Sequence, residues 1–169
     1  MRVYLPATTT TLRTLVDDGA LPGPHTGFAV TDQLRRFYAL TDGDADLEEL
    51  EYAALLAAAR GSLRLIDVDP TAARRRVVLA ADVPDAAVRA VDDDDERGAV
   101  RVDADVRLRD VASAHIDGAE AEADVSAAVA VVLEADLGSE DAQFAVDQAE
   151  GHELAWYATQ EIGPALELL

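Results

Sequence analysis

The clearest hydrophobic pattern in the chain is helical and lies between residues 47 and 66. Apolar residues recur there at spacings of three and four, at Leu47, Leu50, Ala54, Ala57 and Ala58, which predicts an amphipathic helix. Asp46 and Glu49 stand at the N-cap and N3 positions of a capping box. The Ala-rich face predicts close contact with a neighbouring helix or sheet. Gly61 weakens this helix by about 1 kcal/mol relative to Ala without ending it.

Short or alternating apolar runs predict five strands. They are residues 3–5, which Pro6 closes, and residues 76–81, 99–106, 111–117 and 154–158. Residues 99–106 alternate between apolar and charged side chains, as a half-buried strand does. The loop between this run and residues 111–117 is too short for a parallel crossover, so these two strands are expected to be antiparallel.

Capping residues predict further helices between the strands. Thr8 to Thr11 offer N-cap hydroxyls to a helix that Gly19 ends, Thr31 caps a short helix, and Ser139 caps one that Gly151 ends. Pro84 suits the first turn of a short helix through Val91, and residues 119–135 form a longer helix. Residues 21–27 contain two Pro and two Gly and are expected to be a loop. Together these elements predict one α+β domain over residues 1–169, with a mostly antiparallel sheet of about five strands covered by helices.

The composition excludes several classes of protein. Asp and Glu number 34 against 14 Arg and no Lys, for a net charge of −20. A field of this sign repels nucleic-acid phosphates and anionic membranes, so neither is an expected partner. A GC-rich genome explains the absence of Lys and Asn most simply, and adaptation to high salt is the alternative. With no Cys, no secretory leader and no apolar run near ~20 residues, we expect a cytoplasmic protein.

One polar row could carry chemistry. Ser113, His115 and Asp117 alternate along residues 111–117, so they project from one face of the strand at spacings of ~6.7 Å. That spacing disfavours a nucleophilic triad, which requires hydrogen bonds of about 2.6–3.2 Å. His115 with Asp117 could instead be a base and its orienter, or two metal ligands, with His152 and Glu153 completing a site. The alternative, which we favour, makes His115 a hydrogen-bonded core or interface residue and Asp117 a helix cap.

A second group of candidate binding residues surrounds the last strand. Tyr157, Gln160 and Glu161 could line a pocket with Ser113 if this strand is central in the sheet. Trp156, the only Trp in the chain, is expected to be a core anchor.

Other charged motifs have weaker functional interpretations. Asp42, Asp44 and Asp46 resemble a calcium loop, but the required Gly and bidentate Glu are replaced by Leu47 and Ala53. Residues 92–95 are expected to be a solvated acidic run. Arg74, Arg75 and Arg76, like Arg107 and Arg109, could hold a phosphate or carboxylate partner, or balance acids on the surface. The chain has no P-loop and no GxGxxG, so we expect no cofactor and no metal.

Four stretches, at residues 1–8, 49–55, 110–117 and 154–157, resemble an uncharacterised actinobacterial family, a domain of unknown function. The resemblance spans nearly the whole chain and implies a bacterial cytosolic setting. It brings no known activity, so it assigns no catalytic residue to this sequence.

The sequence therefore favours a non-catalytic binding or protein-interaction domain, with an unknown protein or small molecule as its partner and a homodimer as one arrangement. The alternative is a small-molecule enzyme, hydrolase-like, with His115 as base and Asp117 as its orienter. An acidic decoy for a basic partner is a third possibility, although composition alone accounts for the charge.

Overall fold

A computed structural model describes residues 1–41, 45–92 and 95–169. Over these residues the strands are β1 (Arg2–Ala7), β2 (Ala20–Leu21), β3 (His25–Phe28), β4 (Val77–Asp82), β5 (Val88–Ala90), β6 (Ala99–Val102), β7 (Val106–Arg107), β8 (Val111–Ile116) and β9 (Ala155–Ala158). The helices are α1 (Thr9–Asp18), α2 (Asp32–Thr41), α3 (Leu47–Val68), α4 (Glu122–Val129), α5 (Val132–Asp136), α6 (Glu140–Glu150) and α7 (Ile162–Leu166). Asp42, Asp44, Asp93 and Asp94, from the two predicted acidic runs, lie outside the described residues.

The main sheet is antiparallel and contains seven strands in the order β5-β6-β3-β1-β4-β8-β9. This confirms the α+β class and corrects the expected number of about five strands. The extra strands lie in segments that were predicted to be a loop (residues 21–27) and a helix (residues 84–91). Both are short segments whose extended form depends on pairing with β6, where His25 and Val88 each face Val102.

Alternating side chains of the central strands supply two apolar layers. Tyr4, Phe28, Val78 and Ala80 pack under α3, against Ala54, Leu55, Ala58 and Ala59. On the other face Val3, Leu5, Leu79 and Ile116 pack with Leu12 and Leu15 of α1 and Ile162 and Leu166 of α7. Pro6 does not end β1, since it pairs with Val78 and the strand continues to Ala7.

Helix α3 has the predicted N-terminus and lies unusually close to the sheet. Asp46 Oδ1 accepts from the Glu49 N–H at 2.9 Å, and Glu49 Oε2 accepts from the Asp46 N–H at 3.0 Å. A Cβ added at Gly61 would lie 2.7 Å from Pro6 Cγ. Gly61 is therefore needed for the close approach between α3 and β1, which explains a glycine inside a long helix.

The C-terminal half of α3 packs on a separate helical layer. Leu63 and Ile66 contact a buried cluster that includes Val125 of α4, Val132 of α5 and Val146 of α6. The predicted helix over residues 119–135 is interrupted between α4 and α5, where Val131 leaves helical geometry with φ −132° and ψ 5°. Within the described ranges, no helix combines the length and apolar character needed to cross a bilayer.

Candidate functional site

A groove runs between the first half of α3 and the β8–β9 end of the sheet. It consists of two adjoining pockets that share Tyr52, Leu55 and His115. The Ser113 pocket, of about 270 Å³, is also lined by Arg2, Tyr4, Glu48, Glu51, Ala80, Ser113 and Trp156. The Arg76 pocket, of about 410 Å³, is also lined by Leu56, Arg76, His152, Glu153 and Leu154.

Sheet register and helix periodicity bring these side chains together. His115 of β8 is directly opposite Trp156 of β9, and opposed residues project from the same face of an antiparallel pair. On α3, Tyr52 is followed by Leu55 and Leu56 at spacings of three and four, so these residues share one side of the helix. The groove is therefore bounded by a helix on one side and an edge strand on the other.

Ser113 and His115 form the hydrogen bond that the strand spacing seemed to disfavour. Ser113 Oγ lies 3.2 Å from His115 Nε2, and both residues line the Ser113 pocket. Ser113 is buried and His115 is half-buried. Burial lowers the pKa of the His115 imidazole below its ordinary 6.5, and the Arg2 charge lowers the pKa further. His115 is consequently a neutral hydrogen-bonding group at pH 7.

This pKa shift predicts a pH effect on stability. The unfolded chain takes up a proton at His115 near pH 6.5 and the folded chain only at lower pH, so protonation stabilises the unfolded state. The His115 contribution should therefore reduce the free energy of unfolding as the pH falls below about 6.5. We expect His115→Gln to remove that contribution in denaturant titrations, and NMR titration of the wild-type imidazole to give a midpoint below 6.5. A midpoint at or above that value would contradict the prediction.

Asp117 is directed away from His115, toward Arg76. Arg76 Nε and Nη2 donate to Asp117 Oδ2 and Oδ1 at 2.8 and 2.7 Å, and the Arg76 backbone N–H donates to Oδ2 at 2.8 Å. Arg76 is 0% exposed and Asp117 2% exposed. Asp117 therefore orients a buried guanidinium instead of the imidazole. It is not a helix cap either, because its side chain is bound to Arg76.

His152 belongs to the same region through its backbone and its ring. The His152 carbonyl accepts from Arg76 Nη2 at 2.8 Å, and its Nε2 lies 2.7 Å from Asp124 Oδ2 of α4. Glu153 is next to it on the rim of the Arg76 pocket. Across the residues described, no group of three or more potential ligand side chains is arranged to hold a metal ion.

The remaining predicted residues do not join His115. Strand β9 is at the edge of the sheet and not at its centre. Tyr157 faces the opposite side and packs on the α1–α7 layer. Gln160 is exposed, and Glu161 Oε2 accepts from the Ala158 N–H at 2.8 Å. Trp156 is 60% exposed, so it is a wall of the groove and not a core anchor.

The Ser113 pocket is lined by more acidic than basic residues. Arg2 is paired with Asp82 through two hydrogen bonds of 2.8 and 2.9 Å. Glu48 and Glu51 line the same pocket, and the ion pairs identified among the described residues include neither of them. With the global charge of −20, this arrangement attracts cations and repels anions.

From the sequence alone, Tyr52 and Arg76 are not placed in a common site. Tyr52 was unassigned, although the i+3 and i+4 spacing to Leu55 and Leu56 marks a third apolar stripe on α3. In the sequence, Arg76 is interpreted with Arg74 and Arg75 as a cluster that holds a phosphate or carboxylate partner or balances surface acids. Arg76 comes directly before one predicted strand, and Asp117 comes directly after another. Because adjacent antiparallel strands bring the start of one beside the end of the other, these positions indicated that the two side chains could meet.

Comparisons with known proteins connect the chain to a described family. The model of a family of unknown function, DUF6912, matches residues 1–166. No curated protein and no solved structure matches the chain.

Proposed function

This chain belongs to DUF6912, a family of unknown function, and we propose that it is a non-catalytic binding protein that holds a small cationic ligand in the Ser113 pocket. The observation that carries the proposal is a pair of exposed aromatic rings beside two glutamates, Glu48 and Glu51. Trp156 and Tyr52 are 60% and 55% exposed and line the same pocket.

Aromatic walls of this kind suit an alkylammonium or guanidinium group. A cation over an aromatic face gains about 0.5–2 kcal/mol, depending on its desolvation. Large apolar side chains left in solvent also mark binding surfaces when they are grouped in a concave site. The rings and the half-buried imidazole of His115 thus favour a ligand with both apolar and charged parts.

Charge selects the sign of that ligand. Glu48 and Glu51 border the pocket, while the Arg2 charge is matched by Asp82. An anionic ligand would meet this local excess of carboxylates within a protein of net charge −20. A cation would be attracted at both short and long range.

The hydrolase-like alternative has less support. His115 would be a base without an orienting acid, because both Asp117 oxygens accept from Arg76. Its partner Ser113 is buried, which leaves the hydroxyl poorly placed to attack a substrate. We therefore assign His115 a ligand-binding role as a neutral donor or acceptor.

A protein partner also has less support than a small ligand. β9 presents only four residues at the sheet edge, and the Glu161 carboxylate occupies the Ala158 N–H there. Short, charge-protected edges disfavour strand addition. The net charge opposes self-association, and the homodimer stays an untested prediction. A cytosolic setting in an actinobacterial cell remains our expectation from the Cys-free, GC-rich composition.

The cationic-ligand proposal can be tested with two isosteric probes. Choline and 3,3-dimethylbutan-1-ol have nearly the same shape but differ by one positive charge. Trp156 is the only Trp, so its fluorescence reports directly on the pocket. We expect a saturable change with choline at about tenfold lower concentration than with the alcohol, which corresponds to ~1.4 kcal/mol.

Matched variants separate the pocket from non-specific effects. Tyr52→Leu and Glu51→Gln should each weaken choline binding several-fold, whereas Phe144→Leu, at another exposed aromatic side chain on α6, should leave it unchanged. Sodium chloride at equal ionic strength controls for general quenching. Equal affinity for the two probes, or equal effects of all three variants, would refute the proposal.

A further inference from the structure

The guanidinium of Arg76 has hydrogen-bonding capacity that the fold does not use. A guanidinium has five N–H groups. The three at Nε and Nη2 donate to Asp117 and to the His152 carbonyl, which leaves the two at Nη1. Among the described residues, Arg76 Nη1 is the one buried side-chain nitrogen or oxygen without a hydrogen-bond partner. An unsatisfied buried donor of this kind is destabilising, and a ligand acceptor would remove that cost.

The unused donor belongs to a residue that lines a pocket. Arg76 is at the base of the Arg76 pocket, of about 410 Å³, whose other walls include Tyr52, Leu56 and Leu154. The pocket combines apolar side chains with polar groups from Arg76, His152 and Glu153, a combination that can orient small organic ligands. Asp117 fixes the guanidinium plane, so the direction of the Nη1 donors is set before any ligand arrives.

We infer that the Arg76 pocket is a second binding site, which takes an uncharged hydrogen-bond acceptor such as an amide carbonyl on Arg76 Nη1. The charge of Arg76 is already matched by Asp117 at 2.7 Å. A carboxylate or phosphate would therefore add surplus negative charge near Glu150 and Glu153. A carbonyl oxygen accepts the same hydrogen bonds without that repulsion.

Glu150 supports this choice of a neutral acceptor. Burial raises the pKa of its carboxyl group, which the charges of Arg60 and Arg76 partly oppose. A buried carboxyl group in this region thus has a desolvation cost that exceeds its attraction to Arg60 and Arg76. The site stands on the unused Nη1 donor and does not require a cation in the Ser113 pocket.

The two pockets could nevertheless be occupied by one molecule. Ser113 and Asp117 are four residues apart along β8 and its extension, a distance of ~13 Å, and His115 lies between them. A cationic group at one end and a carbonyl at the other would fit this length. That linked arrangement would require both sites, and each site is tested separately.

The test uses the full chain labelled with 15N-arginine and two probes of similar size, N-methylacetamide and acetate. On binding of the amide we expect a saturable downfield shift of guanidinium Hη protons, with acetate at least about tenfold weaker. Leu56→Phe should fill the pocket and abolish the amide effect. Leu65→Phe is the matched control, because Leu65 is on the same helix and 38% exposed against 37% for Leu56.

Each outcome decides the inference. A saturable amide response that only Leu56→Phe removes supports it. Tighter binding of acetate than of the amide overturns the charge argument. If neither probe gives a saturable response, the pocket holds only water and the inference is wrong. Choline binding should survive in Leu56→Phe, since Leu56 does not line the Ser113 pocket, so failure here is distinguishable from failure of the cation site.

Discussion

Replacing Asp117 by Ala is expected to lower the free energy of unfolding by about 3–5 kcal/mol, because it leaves a buried arginine without its counter-ion. Arg76 is 0% exposed, and its side chain and its backbone N–H both donate to the Asp117 carboxylate. The Ala variant would therefore lose three charge-assisted hydrogen bonds and leave the buried Arg76 side chain without its carboxylate partner. Denaturant unfolding followed by circular dichroism measures the loss.

A second arginine–aspartate pair provides the matched control. Arg2 and Asp82 have almost the same bidentate geometry, with bonds of 2.8 and 2.9 Å, but lie at the surface. Solvent screening reduces such a pair to about 0–1 kcal/mol, so Asp82→Ala should change stability little. An equal loss in the free energy of unfolding for the two Ala variants would contradict the prediction that burial makes the Asp117 pair the more stabilising one. The Arg76 geometry that the second site requires would then lack support.

Replacing Ser62 by Ala is the second large expected effect, at roughly 2–4 kcal/mol, because it leaves two buried backbone groups unsatisfied. Ser62 Oγ donates to the Ala7 carbonyl at 2.6 Å and accepts from the Val77 N–H at 3.0 Å. One hydroxyl thus joins α3 to the end of β1 and the start of β4. The higher helix propensity of Ala stabilises the variant by less than the loss of these two hydrogen bonds destabilises it.

Ser126→Ala is the control for that variant. Ser126 is exposed on α4, where a Ser-to-Ala change usually stays within about 0.5 kcal/mol. Thermal or denaturant unfolding of both variants against wild type gives the comparison. A loss below about 0.5 kcal/mol for Ser62→Ala would mean that the helix–sheet junction relaxes around the missing hydroxyl.

The same junction bears on the groove. Ser62 and Gly61 hold the middle of α3 against β1, and the N-terminal half of this helix carries Tyr52 and Leu56. Because a helix moves as a rigid element, loosening its contact with the sheet should widen the groove. Ser62→Ala is thus expected to weaken choline binding as well as stability, although it contacts neither pocket.

Local features of the fold could be read from the sequence because each depends on nearby residues. Thr8 caps α1, Gly19 ends it in left-handed geometry at φ 75°, and Asp46 caps α3, all as predicted from short-range hydrogen bonding and backbone preference. Alternation over residues 111–117 likewise predicted β8 and the shared face of Ser113 and His115. Caps and the spacing of apolar residues both depend on neighbours in the sequence, so they can be predicted without the tertiary structure.

The tertiary structure alone decided which partner each side chain meets. β3 and β5 are extended because β6 pairs with them, and their own sequences do not show it. Trp156 is exposed because β9 lies at the sheet edge, and its apolar character fits a core equally well. Asp117 bonds Arg76 instead of His115 because the start of β4 lies beside the end of β8. Periodicity sets the direction in which a residue points, whereas strand order and helix placement, fixed by the packing of the whole chain, determine what it finds there.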